Sequence, residues 1–190
     1  MLSGFVALKM IVLRLFAHGL KRLGKFPLLM SALLLGFILP SGNALAQEKP
    51  LKEQLVGTWI LVSNANVAAN GKLRQLFGSH PKGIAIFTAN GWYAQLEIDP
   101  DRPKFKGKTR LDGTAAENKA VVRATAVHFG TWSVNEADKT LTVHQEANIF
   151  PNDDGLDSKR TITLAGDELK ATNPNPSSGG TATVVWRRAK

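Results

Sequence analysis

Tryptophan recurs on three strand-like segments, as Gly57-Thr58-Trp59, Gly130-Thr131-Trp132 and, at the end of the chain, Val184-Val185-Trp186-Arg187-Arg188. Any one of them alone suits an ordinary core aromatic. The set suits a small closed β-barrel, in which first and last strands must meet. At such a seam an indole fills the floor and a guanidinium stacks on its face, a contact of roughly 0.5–2 kcal/mol. Gly57, Trp59, Trp186 and Arg187 are the expected closure residues, with Arg188 as the alternative arginine.

The segments between these motifs are short alternating runs separated by turn signals, as in an all-β barrel. Strands are expected over 55–63, 84–88, 92–98, 127–134, 139–147, 159–164, 168–172 and 181–188. Asn90-Gly91 supplies the positive φ of a tight hairpin between the second and third. Eight strands close around an interior that side chains can fill or one small ligand can share. Residues 114–125 break the rhythm with Ala-rich sequence, and Thr114 and Glu117 form a capping box. A short helix is expected there, covering one barrel mouth. The fold class is therefore all-β, an eight-stranded antiparallel barrel with one short helix, preceded by an N-terminal signal segment.

Residues 1–46 read as a signal peptide and 47–190 as the barrel domain. Lys9, Arg14, Lys21, Arg22 and Lys25 precede an apolar run over 28–39, and Ala44-Leu45-Ala46 offers a small-x-small cleavage site before Gln47. The apolar run is shorter than the roughly 20 residues of a membrane span. Met10 is a second plausible start, and an uncleaved anchor lying along a membrane surface is the competing reading. A periplasmic or secreted destination follows, with no stable membrane span after cleavage.

Export changes the meaning of the charge. The formal net charge is +9, but residues 47–190 hold 19 basic against 15 acidic residues, or +4. That modest excess removes most support for a nucleic-acid partner. With no Cys, disulfides, a thiolate nucleophile and a lipoprotein anchor are excluded. His80, His128 and His144 lack metal-ligand spacing, so no metal and no cofactor are expected. No Gly-x-Ser-x-Gly elbow supports a serine hydrolase. The loop over 100–113 alternates Arg102, Lys104, Lys106, Lys108 and Arg110, which would attract an anionic ligand or membrane if it is more than a solvated face.

Alternation also suggests the interior. Arg160 shares its face with Ile162 and Leu164, and a buried guanidinium needs a partner. A ligand carboxylate, or Asp157, Asp153 or Glu146, would serve. His128 shares a face with Gly130 and Trp132 and is expected inside. His144 alternates outward unless a bulge turns it. Trp92, Phe87, Trp132 and Ile162 are the expected apolar lining.

The order of these motifs carries a resemblance. Leu55-Val56-Gly57-Thr58-Trp59, Pro81-Lys82-Gly83, Ala89-Asn90-Gly91, Phe129-Gly130-Thr131-Trp132, Val143-His144, Pro151-Asn152, Lys159-Arg160 and Trp186-Arg187-Arg188 follow one another over residues 51–188. The chain resembles the bacterial lipocalin-like domain family, a branch of calycin-type barrels. The resemblance implies a lipocalin-like barrel and marks His144 as part of the pattern. It departs from true lipocalins in lacking their Thr-Asp-Tyr run and in placing the helix between the third and fourth strands, so retinoid or haem transport is not implied. Three functions remain open at this point: a barrel binding an apolar or amphipathic ligand with an anionic end, fixed by Arg160 and by His128 or His144; a calycin-like isomerase, cyclase or hydratase using a buried His; and a filled barrel with a structural or envelope role.

Overall fold

The computed structural model describes residues 49–190; the signal-peptide reading of 1–46 and the choice of start lie outside the described residues. Nine strands form one antiparallel sheet: β1 (Gly57–Val67), β2 (Leu73–Arg74), β3 (Lys82–Phe87), β4 (Trp92–Ile98), β5 (Thr125–Asn135), β6 (Thr140–Asn148), β7 (Asp157–Ala165), β8 (Glu168–Asn173) and β9 (Thr181–Arg188). Eight of them run β1-β3-β4-β5-β6-β7-β8-β9, and β9 pairs back onto β1, so the sheet is a closed barrel. The eight expected strands are all present. The short β2 is an extra strand, paired through Asn66–Arg74 and Val67–Leu73 beyond the point where β1 leaves β3.

Among the described residues there are two α-helices instead of one. The expected helix is α2 (Ala115–Arg123), whose Thr114 side chain accepts from the Glu117 N–H while the Glu117 carboxylate accepts from the Thr114 N–H. The unexpected one is α1 (Leu51–Leu55), only five residues long and too short to hold without outside help. Its help comes from both ends. Glu136 accepts the free N–H groups of Leu51 and Lys52, each at 2.9 Å, and Arg188 donates to the carbonyls of Gln54 and Val56. Leu51 and Leu55 are buried, so α1 plugs the end of the barrel.

The same end holds the seam. Trp59 is fully buried, donates from Nε1 to the Leu55 carbonyl at 2.9 Å, and lies 4.2 Å below the Arg188 guanidinium. The expected stack is present, but Arg188 makes it, and Arg187 is exposed on the outer face. Alternation gives the reason: Trp186 and Arg188 share the inner face of β9. Gly57, at φ +135°, would bring a side chain to within 3.1 Å of Arg188 Nη1.

The interior divides in two along the barrel. One half is a packed plug that includes Leu55, Trp59, Phe87, Tyr93, Trp132, Leu141, Val143, Ile162, Leu169 and Trp186. Within it Phe87 meets Trp132 edge-on at 5.3 Å and Tyr93 in a stack at 6.3 Å. The other half carries buried polar residues: Asn64, Asn66, Gln95, Glu97, His128, Gln145 and Arg160. Two glycines let backbones approach where the halves meet. A Cβ on Gly130, at the β5–β6 bulge, would overlap the His144 carbonyl oxygen, and one on Gly83 would overlap the Leu96 carbonyl and crowd Leu61.

Candidate functional site

The polar half encloses a cavity of about 1090 Å³. Its mouth is formed by residues 74–77 around β2, by Val122 and Arg123 of α2, by residues 149–156, and by the β8–β9 loop from Pro174 to Ser178. Asn66 holds that last loop to β1 by donating to the Ser178 hydroxyl and the Gly179 carbonyl. The walls combine apolar groups such as Phe77, Ile149, Val184 and Trp186 with the polar floor.

A chain of hydrogen bonds crosses the lumen. Arg160 on β7 donates from Nη1 to Gln95 Oε1 on β4 at 2.9 Å, and Gln95 Nε2 donates to Glu97 Oε1 at 2.6 Å. Asn64 on β1 donates to the other Glu97 oxygen. Because a guanidinium only donates, Arg160 fixes the Gln95 amide with its oxygen toward β7, and the Gln95 nitrogen must then face Glu97. Glu97 is 2% exposed, and burial raises its carboxyl above the usual range, against the opposing pull of Asn64, Gln95 and Arg160. Burial likewise lowers Arg160, opposed by Tyr93 and Glu97.

Among the described residues no carboxylate contacts Arg160 directly. The arginine–carboxylate pair among the described residues is Arg188 with Asp167, and Asp157 is hydrogen-bonded to His144, so the expected pairing of Arg160 with Asp157, Asp153 or Glu146 does not occur. Only one of its nitrogens finds a side-chain acceptor, and the others are not sealed in the wall. They face the cavity.

His128 sits beside this cation on β5, register partner of Gln95, and is buried as expected. Tyr93 Oη lies 2.9 Å from its Nδ1. Burial pushes the Tyr93 phenol up to about 12 and the His128 imidazole down to about 3, the latter helped by the nearby Arg160 charge. Both are neutral near pH 7. Assigning the phenol as donor gives its proton an acceptor and leaves the imidazole proton on Nε2, which has no partner among the described residues and lies on the cavity side. Gln145, whose Oε1 accepts from Asn148, turns its own amide nitrogen the same way. Three sets of N–H donors therefore line the floor beside the Arg160 charge, with the Glu97 carboxyl, whose protonated form burial favours, at the far end of the Gln95 bridge.

The other expected site residues lie elsewhere. Phe87, Trp132 and Ile162 belong to the packed plug and do not line the cavity. Trp92 is 47% exposed on the outer face of β4, and His144 is outside the cavity, paired with Asp157 at 2.9 Å. The four expected apolar lining residues are thus replaced by others, while Arg160 and His128 do line the cavity. Among the described residues no three His, Asp or Glu side chains gather as metal ligands.

The lipocalin-like domain model matches residues 56–189, which spans the closed barrel from β1 to β9. The chain belongs to the lipocalin-like domain family. No curated protein gives a significant match. Among solved structures, this lipocalin-like domain is similar to a fatty-acid-binding protein of Echinococcus granulosus, at 15% identity over 73% of this chain and 99% of that one, with a TM-score of 0.35. It is similar also to a Schistosoma mansoni fatty acid binding protein in complex with arachidonic acid, at 15% identity over 73% and 98% of the two chains, TM-score 0.35.

Sequence reasoning missed Gln95, Glu97, Tyr93, Asn64 and Gln145 in this lipocalin-like domain. The signal lay in β4, where Tyr93, Gln95 and Glu97 alternate with the apolar Trp92, Ala94, Leu96 and Ile98. The apolar set would ordinarily mark the inner face, and here it is the outer one.

Proposed function

We propose that this lipocalin-like domain binds a small amphipathic acid, with its carboxylate on the polar floor and its apolar part toward Phe77, Ile149, Val184 and Trp186. The observation that carries this reading is Arg160: a buried cation that no carboxylate contacts directly among the described residues, presenting N–H groups to a cavity beside His128 and Gln145. An anion there supplies the partner that burial of the guanidinium demands, and all three neighbours donate. Size agrees, since about 1090 Å³ accommodates a ligand of drug-like or fatty-acid dimensions.

Binding fits the site better than catalysis. An imidazole held down near 3 by burial is a weak base at neutral pH, whereas a general base works best near the operating pH. A solidly filled barrel does not describe a lumen of which only one half is packed. The leader-like character of residues 1–46 supports an exported destination, periplasmic or secreted, and an N-terminus at Gln47 on the exported protein is its test.

Trp186 lines the cavity and reports occupancy through its fluorescence. Titration with dodecanoic acid and with dodecanol separates head-group from chain. Arg160→Ala should weaken the acid by roughly 30- to 1000-fold, as expected for losing one side of a buried charge pair, and the alcohol by far less. Equal losses for both would reject the carboxylate clamp.

A further inference from the structure

The net charge of residues 47–190 is concentrated on one cap of the barrel. Residues 100–123 hold seven basic and three acidic residues, while the rest of residues 47–190 balances at twelve of each. The whole excess of the domain thus sits on the loop before α2 and on α2 itself. Lys104, Lys106, Lys108, Arg110, Lys119 and Arg123 are exposed, and among the described residues none is ion-paired. Two of the three acids are occupied locally: Asp112 accepts the Thr109 N–H, and Glu117 accepts the N–H groups of Thr114 and Lys106. The Lys106–Glu117 bond also ties the basic loop to α2.

This cap adjoins the cavity mouth, because Val122 and Arg123 of α2 line it. Apolar groups are exposed on the cap and around the mouth: Leu111 is 87% exposed, Val122 57%, Leu156 53% and Phe150 42%. Lysines and arginines interspersed with protruding apolar side chains match a surface of anionic headgroups over hydrocarbon. A single-stranded nucleic acid would instead require a row of exposed aromatic platforms, whereas Phe105 of the cap is half-buried and Phe150 at the mouth stands alone among aliphatic side chains.

We propose that the cap formed by residues 100–123 docks the barrel, mouth first, on an anionic lipid surface. The charge supplies attraction, and Leu111, Val122 and Phe150 enter the headgroup boundary. Docking in this orientation brings the opening of the cavity to the bilayer, yet the proposal stands without any assignment of the ligand.

Sedimentation with vesicles tests it. Purified protein is mixed with vesicles of phosphatidylglycerol and phosphatidylcholine in equal parts, or of phosphatidylcholine alone, at low and at 0.5 M salt. Binding should require the anionic lipid and fall steeply with salt. The triple variant Lys104→Gln, Lys106→Gln, Lys108→Gln should lose roughly 100-fold in partition, about fivefold per charge, while Leu111→Ser with Val122→Ser should lower binding without changing its salt dependence. Any contribution of residues 1–46 is common to parent and variants, so the comparison among them isolates the cap. Arg160→Ala should bind vesicles like the parent, so failure of the ligand reading and failure of docking are separable. Equal binding to neutral vesicles, an unaffected triple variant, or retention of a single-stranded oligonucleotide with no vesicle binding would each overturn the proposal.

Discussion

Removing the Arg188 side chain tests how the barrel is shut. Its guanidinium lies 4.2 Å from the Trp59 ring, donates to the Gln54 and Val56 carbonyls, and sits 3.8 Å from Asp167 Oδ1. A cation–π contact at a partly exposed site contributes roughly 0.5–1 kcal/mol. Each hydrogen bond from a charged donor contributes about 1.5 kcal/mol at the low end of its range. The low end applies because the side chain remains 31% exposed, and the Asp167 pair, more exposed still, adds close to nothing. Arg188→Ala should therefore cost about 3–4 kcal/mol. With a urea m value of about 2 kcal/mol/M, the unfolding midpoint should fall by roughly 1.5–2 M. Arg187→Ala, on the outer face of the same strand, should stay within about 0.5 kcal/mol of the parent. Equal shifts for the two arginines, or a loss below about 1 kcal/mol for Arg188→Ala, would refute the closure described here.

Glu97→Gln should alter how stability depends on pH. Burial raises the folded carboxyl above its unfolded value of 4.5, so the folded state holds this proton more tightly. The parent protein should then lose stability relative to the variant as pH rises from 4.5 through the folded pKa, and thermal melts of the two that run parallel across pH 4–8 would contradict it. The variant's new amide hydrogens find an acceptor if Asn64 turns its amide over, since Asn64 Oδ1 has no partner in the parent. Gly130→Ala forces a Cβ onto the His144 carbonyl and should cost about 2–4 kcal/mol, lowering Tm by roughly 10 °C. A melting temperature unchanged within about a degree would show that the bulge relaxes freely.

The strands were legible because their signals are local. Asn90-Gly91 fixed the β3–β4 hairpin, where Gly91 does adopt φ +90°, and Thr114 with Glu117 fixed the start of α2 from side chains that reach only their own helix. Arg160 and His128 were assigned inward by alternation, which needs nothing beyond their own strands. Arg188 was equally readable, two residues after Trp186, but the sequence pattern of Trp followed by Arg drew attention to the adjacent position.

β4 shows where that logic stops. Hydrophobicity marks Trp92, Ala94, Leu96 and Ile98 as its inner face, and would do so correctly in a solid barrel. Here that half of the lumen is polar, so Tyr93, Gln95 and Glu97 turn inward, and the pattern inverts at the site, where local rules are expected to give way to function. Likewise α1 has no sequence signal strong enough to predict it, because five residues become helical only when Glu136 and Arg188, 84 and 134 residues away, bind its ends.

The sequence by itself determined the elements: eight strands, one capped helix, a Trp at each side of the seam, and an arginine and a histidine turned inward. Tertiary structure alone decided which inward residues pack a plug and which face a hollow. Alternation is a property of one strand, whereas the level of a residue in the lumen depends on the tilt and register of all eight, and the bond from Arg160 to Gln95 exists only once the sheet has closed.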